Sequence, residues 1–264
     1  MSSDEQSQPH PMLRVERTGP IVTISLDRPE RRNSQVPSLW SALAGIAAGL
    51  DSSTRVVVFR AEGPSFSAGL DRAMLTPQGL PGEPSLLGLA TGAGGALEEA
   101  IEHFQRGFAI WAEMPAITIA AVQGHAIGAG FQLALACDLR VVADDVAFAM
   151  RETSLGLVPD LAGTSPLVRS IGYARALEIC ATGRFVGAQE AVAIGLASVA
   201  VPREDLDATA LDLADAILQA PSEALRELKP LLRNAMDASP SQQHRAEREA
   251  QARLLTAMVQ ASGK

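Results

Sequence analysis

The residues that could do chemistry lie in three short stretches. In Gly128-Ala129-Gly130-Phe131-Gln132, two glycines flank an alanine just before an apolar helix. Backbone can approach a ligand closely there, and the first N–H groups of the helix, Ala129's among them, point outward without intrahelical partners. Such a mouth suits an oxygen that gains negative charge, and it equally suits close packing at a strand-to-helix junction. The second stretch, Ser65 to Asp71, reads SFSAGLD after an apolar run and offers one more N–H, that of Leu70. Two such donors would make an oxyanion hole. The third holds two acids, Glu152 among Phe148, Met150 and Leu155, and Asp160 farther along. Apolar neighbours disfavour a charged carboxylate and so tune it for proton transfer near neutral pH. The alternatives are a surface acid beside Arg151 and a helix N-cap, respectively. Gln132 can hold a group by hydrogen bond but cannot exchange a proton near neutral pH.

These stretches need strands and helices to position them. An alternating strand over 21–26 stops at Arg28-Pro29, and a helix is expected over 37–50, a buried strand after Thr54, and a helix over 97–112. A buried strand over 116–122, the glycine turn with its helix and a strand over 139–143 continue the alternation, which is that of an α/β fold. Residues 73–96, rich in Gly and Pro, read as an irregular segment that covers something. Two short helices and a last strand follow residue 174, and beyond 204 the chain reads as helix broken at Pro221 and Pro230. The expected organisation is a loose tail over 1–11, a core domain over 12–202 and a helical region over 203–264. The apolar stripe of that last region (Leu211, Ala214, Ile217, Leu218, Leu225, Leu228) packs on the body or on a neighbouring subunit.

A chain of 264 residues with 47% hydrophobic content can bury a full core, and its formal net charge of -8 argues against nucleic acid or an anionic membrane as partner. Cys137 and Cys180 have neither metal nor disulfide spacing. The polar start lacks the apolar core of a signal peptide, and the most apolar stretch, 116–143, is interrupted by Gln123, His125, Gln132 and Asp138. No membrane span is expected, and the setting is expected to be cytoplasmic. His103 and His125 lack a partner at a diagnostic spacing, Tyr173 reads as packing, and Asp138 as a fixer of backbone.

Together, RPERRNS, FSAGLD, AAVQGHAIGAGFQLALACDLRVVA and AFAMRETSLGLVPDLAGT resemble the enoyl-CoA hydratase/isomerase (crotonase) superfamily in order and spacing, from Met12 to Pro202. The resemblance implies a spiral of β-β-α units with a C-terminal helical trimerisation region, assembled as a homotrimer or hexamer. It implies an acyl-CoA thioester substrate, coenzyme A being part of that substrate, with no further cofactor and no metal. By the same resemblance the N–H groups of Leu70 and Ala129 hold the thioester oxygen, and Arg32 and Ser34 contact CoA near its adenine. Ala68, Asp71 and Arg72 run along the CoA arm, with Gly128 and Leu155 also against the substrate. Arg28 and Arg31 complete a basic spot or a solvated turn.

In hydratases of this superfamily two glutamates add water, at the positions of Gln132 and Glu152. The amide departs from that pattern and is left a water- or substrate-holding role. Asp160 stands where hydratases have glycine, and it resembles the Glu–Asp pair of dienoyl-CoA isomerases, although those carry an acid at the position of Gln132 too. The expected reaction is therefore proton transfer and double-bond isomerisation by Glu152 and Asp160. The alternatives are a hydratase relying on Glu152 and an acyl-CoA binding protein without turnover.

Overall fold

A computed structural model describes residues 5–92 and 95–262. Three antiparallel strands, β1 (Glu5–His10), β2 (Leu13–Thr18) and β3 (Ile21–Leu26), are followed by α1 (Pro37–Gly49) and β4 (Val56–Ala61). Helices α2 (Leu86–Ala90) and α3 (Ala96–Glu113) precede β5 (Ile117–Val122), and the short β6 (His125–Ile127) turns directly into α4 (Ala129–Ala136). Next come β7 (Leu139–Ala143), β8 (Ala147–Ala149), α5 (Thr164–Ile171), α6 (Tyr173–Thr182), β9 (Val186–Gly187), α7 (Ala188–Ala193) and β10 (Val199–Val201). The last helices are α8 (Leu206–Leu218), α9 (Ser222–Asn234) and α10 (Pro240–Ser262).

β3, β4, β5, β7 and β10 run parallel in one sheet, with β2 and β1 added antiparallel at its edge. β6, β8 and β9 form a second, smaller sheet. Because side chains alternate along a strand, each central strand feeds two cores. Val57, Phe59, Ala120, Val122 and Val142 face α1, α3 and α4, where Trp40, Phe108, Trp111 and Phe131 are buried. Val56, Val58, Ile119, Ala121, Val141 and Ala143 face the other way and are covered by Leu206, Ala210 and Ala214 of α8. This mixed α/β architecture is the expected fold class.

Three expectations need correction. Residues 5–10, assigned to the loose tail, form β1, in register with β2 from Glu5 opposite Arg17 to His10 opposite Leu13. His10 anchors it, its Nδ1 accepting from Met12 N at 3.2 Å and its Nε2 meeting Ser38 Oγ at 3.0 Å. Residues 1–4 lie outside the described residues. Pro230 does not break the helical region but sits inside α9. A proline there removes one intrahelical bond at a cost of about 3 kcal/mol. Tertiary tethers offset it: Lys229 Nζ meets Asp138 Oδ2 at 2.7 Å and Ala116 O at 2.8 Å, and Arg233 donates to Ala112 O at 2.7 Å. Tyr173, expected to pack, is 70% exposed. In the apolar stripe of the last region, Ala214 is buried against the sheet and Leu211 and Leu228 are exposed. The 73–96 segment carries a 3-10 turn (Arg72–Leu75) and α2, and Ser38 N donates to its Glu83 at 3.0 Å. Residues 93–94 of it lie outside the described residues. Among the described residues no helix is long and apolar enough to cross a membrane.

Candidate active site

Two glycines bring the two small-residue loops together. Gly69 has φ +85° and runs so close to β6 that a Cβ added to it would lie 2.5 Å from Ile127 O and 3.5 Å from Ala129 N. Gly130 packs on Ser67, where a Cβ would stand 2.6 Å from that side chain. The backbone of Ser67 is paired to β6 by Ser67 N to His125 O at 2.9 Å and Ile127 N to Ser67 O at 3.0 Å. On the other side Gln35 N donates to Gly69 O and Asp71 N to Gln35 O, both at 2.8 Å, so Leu70 is pinned from both flanks. Among the described residues neither Leu70 N–H nor Ala129 N–H meets an acceptor.

Beneath this junction lies a buried polar network that sequence reasoning missed. Ser67 Oγ donates to Asn33 O at 2.7 Å and accepts from Gln35 Nε2 at 3.1 Å and Gly69 N at 3.2 Å, which uses all of its hydrogen-bonding capacity. Gln35 Oε1 in turn accepts from Trp40 Nε1 at 2.8 Å. Three polar residues with no free group are a hydrogen-bonded scaffold for the loop. The signal was a polar pair, Asn33 and Gln35, among residues that the helical pattern places next to a core.

The two acids, Glu152 and Asp160, are coupled through their charges next to α4. Glu152 follows β8 at the start of a 3-10 turn (Glu152–Leu155), and a Cβ added at Gly128 would lie 3.2 Å from its Oε1. Oε1 accepts from Gln132 Nε2 at 2.9 Å, whereas Oε2 is buried with no hydrogen-bond partner among the described residues. Burial pushes the pKa of Glu152 up, and the charge of Asp160 adds to the rise, against its own backbone N–H and the Gln132 donor. Asp160 is pushed up by burial as well. It caps no helix, since α5 begins after Gly163.

Gln132 does not present a free amide for water or substrate. It is buried, with 1% exposure, and Oε1 accepts from Leu161 N at 2.8 Å and Gly163 N at 3.3 Å while Nε2 holds Glu152. The packed 161–163 backbone has claimed the oxygen, and one Nε2 hydrogen meets Glu152. Gln105, which the sequence reading passed over, donates from α3 to Asp160 O at 2.8 Å.

The remaining site candidates lie around the first loop. Asp71 is turned into the protein rather than along a ligand: Oδ2 accepts from Arg28 Nη1 at 3.0 Å and Ser34 Oγ at 3.2 Å, and Oδ1 caps the following turn through Ala73 N at 3.2 Å. Burial alone would raise its pKa, but the Ala73 N–H, Arg28 and Ser34 outweigh burial and hold it low. Arg28 is thus a mostly buried ion-pair partner, while Arg31, Arg32 and Arg72 stay exposed. Ala68 N donates to Arg32 O at 2.8 Å, which keeps the two stretches side by side. Leu155 is 54% exposed, beyond Glu152 on the same turn. Burial pushes the Cys137 thiol up to about 12, so it is no nucleophile at neutral pH. Among the described residues no group of His, Cys, Asp and Glu is placed to hold a metal ion.

Residues 16–263 match the model of the enoyl-CoA hydratase/isomerase family. The chain is 30% identical over 233 residues to the "Probable enoyl-CoA hydratase echA8" of Mycobacterium tuberculosis, covering 86% of this chain and 83% of that protein. It is similar in structure to a protein of Thermobifida fusca YX named as a putative enoyl-CoA hydratase, with TM-score 0.91, 41% identity and 95% of each chain covered. A crystal structure of that protein in complex with acetoacetyl-CoA aligns with TM-score 0.90 at 41% identity over 93% of this chain and 95% of that one.

Proposed function

The chain belongs to the enoyl-CoA hydratase/isomerase family, and from that membership we propose that it moves a proton along the acyl chain of an enoyl-CoA thioester and so shifts a double bond. The observation that carries this reading is Glu152, with Oε1 held by Gln132 and Oε2 unpartnered beside the mouth of α4. The thioester oxygen accepts from Leu70 N–H and Ala129 N–H. Glu152 Oε2 takes a proton from a substrate carbon, and the electron pair runs into the thioester carbonyl to give an enolate whose oxygen those donors hold. Asp160, carrying a proton, delivers it to a carbon farther along as the carbonyl re-forms. One proton leaves and one arrives, so the composition of the acyl-CoA is unchanged. Repulsion between the two carboxyls favours the state with one proton between them, which is the state this exchange needs.

Exposed Arg32 and Arg72, together with Ser34 and Ala68, supply the CoA side, and the acetoacetyl-CoA complex of the Thermobifida fusca protein supports a CoA thioester as ligand. Coenzyme A enters with the substrate and no further cofactor is needed. In this reading residues 12–202 are the catalytic body, 203–264 the helical region for assembly into a trimer or hexamer, and the setting is cytoplasmic. Hydration is the second reading, favoured by the names of the relatives and by Glu152 itself. It would rest on that single acid, because Gln132 Oε1 is already taken by two backbone donors.

The test is incubation with 2-enoyl-, 3-enoyl- and dienoyl-CoA in deuterated water, scored separately for hydrogen exchange at the α and γ carbons, isomerisation and hydration. Exchange and isomerisation are expected to outrun hydration on at least one of the three. Hydration faster than exchange throughout would replace this reading with the second, and binding with neither would leave an acyl-CoA binding protein.

A further inference from the structure

The loop from Asp160 to Gly163 passes through Ala162 at φ +62°, a left-handed conformation that residues with a side chain seldom adopt. Two amides hold it from opposite sides. Gln105 of α3 donates to the carbonyl of Asp160 at 2.8 Å, and Gln132 of α4 accepts from Leu161 N and Gly163 N at 2.8 and 3.3 Å. Flanking a left-handed residue, those two N–H groups converge into a concavity of the kind that binds anions. A neutral amide oxygen fills it here. Gly163 has to be glycine for this, since a Cβ would lie 2.6 Å from Gln132 Cγ. The other end of the same amide reaches Glu152 Oε1 at 2.9 Å, and Glu152 Oε2 is left buried without a partner.

We propose that Gln132 is the positioning residue that keeps Glu152 able to ionise: its oxygen fills the N–H pair of Leu161 and Gly163 without charge, and its Nε2 fixes Glu152 Oε1, leaving Oε2 as the atom that exchanges the proton. The inference rests on the reading of Glu152 as the base. A glutamate at position 132 would act otherwise. One of its oxygens would sit ionised in the N–H pair, and the other would face Glu152 Oε1 where a donor now stands. Two carboxylate oxygens at hydrogen-bond distance require a proton between them, so Glu152 would keep its proton to higher pH. The other groups around Glu152 do not cancel this. Asp160 on the same loop repels its charge already, and Cys180 of α6 is a thiol pushed up by burial and by Glu152. Arg151 lies over the Phe185 ring, 5.8 Å from its centroid, and among the described residues no cation pairs with Glu152.

The experiment is a carbon-13 NMR titration of the glutamate carboxyls in the full chain, with Glu152 assigned through Glu152→Gln, comparing wild type with Gln132→Glu. The Glu152 midpoint is expected to rise by about one pH unit or more in Gln132→Glu, a tenfold or greater gain in proton affinity, and the acid limb of kcat/KM to rise with it at unchanged KM. An unchanged or lower midpoint overturns the proposal. Should Gln132→Glu fail to fold, the wild type decides. Its Gln132 side-chain NH2 is expected to give two separate proton resonances, slow to exchange with solvent, that follow the Glu152 titration; averaged or pH-independent resonances overturn the proposal equally. Neither NMR reading depends on turnover. Wild type without hydrogen exchange into enoyl-CoA therefore sinks the proposed function while the titration still judges Gln132.

Discussion

Glu152 is an acid whose burial works against the charge that the proposed role as a base requires, and that conflict is measurable in stability. Its raised folded-state pKa means that the native chain binds the proton more tightly than the unfolded chain. Stability therefore falls as pH rises from the ordinary carboxylate range through the raised value, and the loss persists above it. Glu152→Gln removes this loss. The variant is expected to melt above wild type at neutral pH, with the difference disappearing once pH drops below the ordinary carboxylate range, while turnover falls roughly 10²-fold or more. A melting difference that is the same at both pH values would show that burial of the charge is not its source. Asp160→Asn tests the pair from the other side. Asp160's charge is one of the causes that raise Glu152, so its removal is expected to move the Glu152 midpoint in a carbon-13 NMR titration to lower pH, while turnover falls with the lost proton donor. A midpoint that stays in place would separate the two carboxyls electrostatically.

At the scale of elements, the loop carrying Leu70 and the strand entering α4 can approach only because Gly69 lacks a side chain. Gly69→Ala combines a φ of +85° with a Cβ 2.5 Å from a backbone oxygen that cannot swing away. It is expected to lower unfolding free energy by about 2 kcal/mol or more in urea titration, with acyl-CoA binding lost in parallel. Intact stability would mean that the two loops separate at little cost. These elements were legible to different degrees. Apart from Arg60, Thr118 and Arg140, the runs that build β4, β5 and β7 are apolar on both faces, and the structure buries both faces. The glycine turns declared themselves by composition. β1 did not, because its register with β2 rests on backbone bonds and on His10, neither of which leaves a hydrophobic pattern. The three-residue strands β6 and β8 are too short for any period. Glu152 and Asp160 stood out as acids near apolar residues, but the partner of Gln132 could not be read, since Glu152 and the 161–163 backbone reach it only through the fold.

At the scale of the molecule, the chain leaves large apolar side chains in the open on the stretch after Glu152 and on the last two helices and the turn between them: Leu155, Leu157 and Val158 in the first group, Leu232, Met236, Leu255, Met258 and Val259 in the second. Exposed apolar area on this scale favours association. Light scattering is expected to give the mass of three or six chains, and the mass of one chain would defeat that expectation. The amide at position 132 has a further consequence on a longer timescale. A glutamine codon becomes a glutamate codon by a single base change, and the N–H groups of Leu161 and Gly163 that hold the amide oxygen would hold a carboxylate oxygen in the same place. The backbone donors such a carboxylate would use are already in place, so a gene encoding this chain stands one base change from a site with a different set of acids.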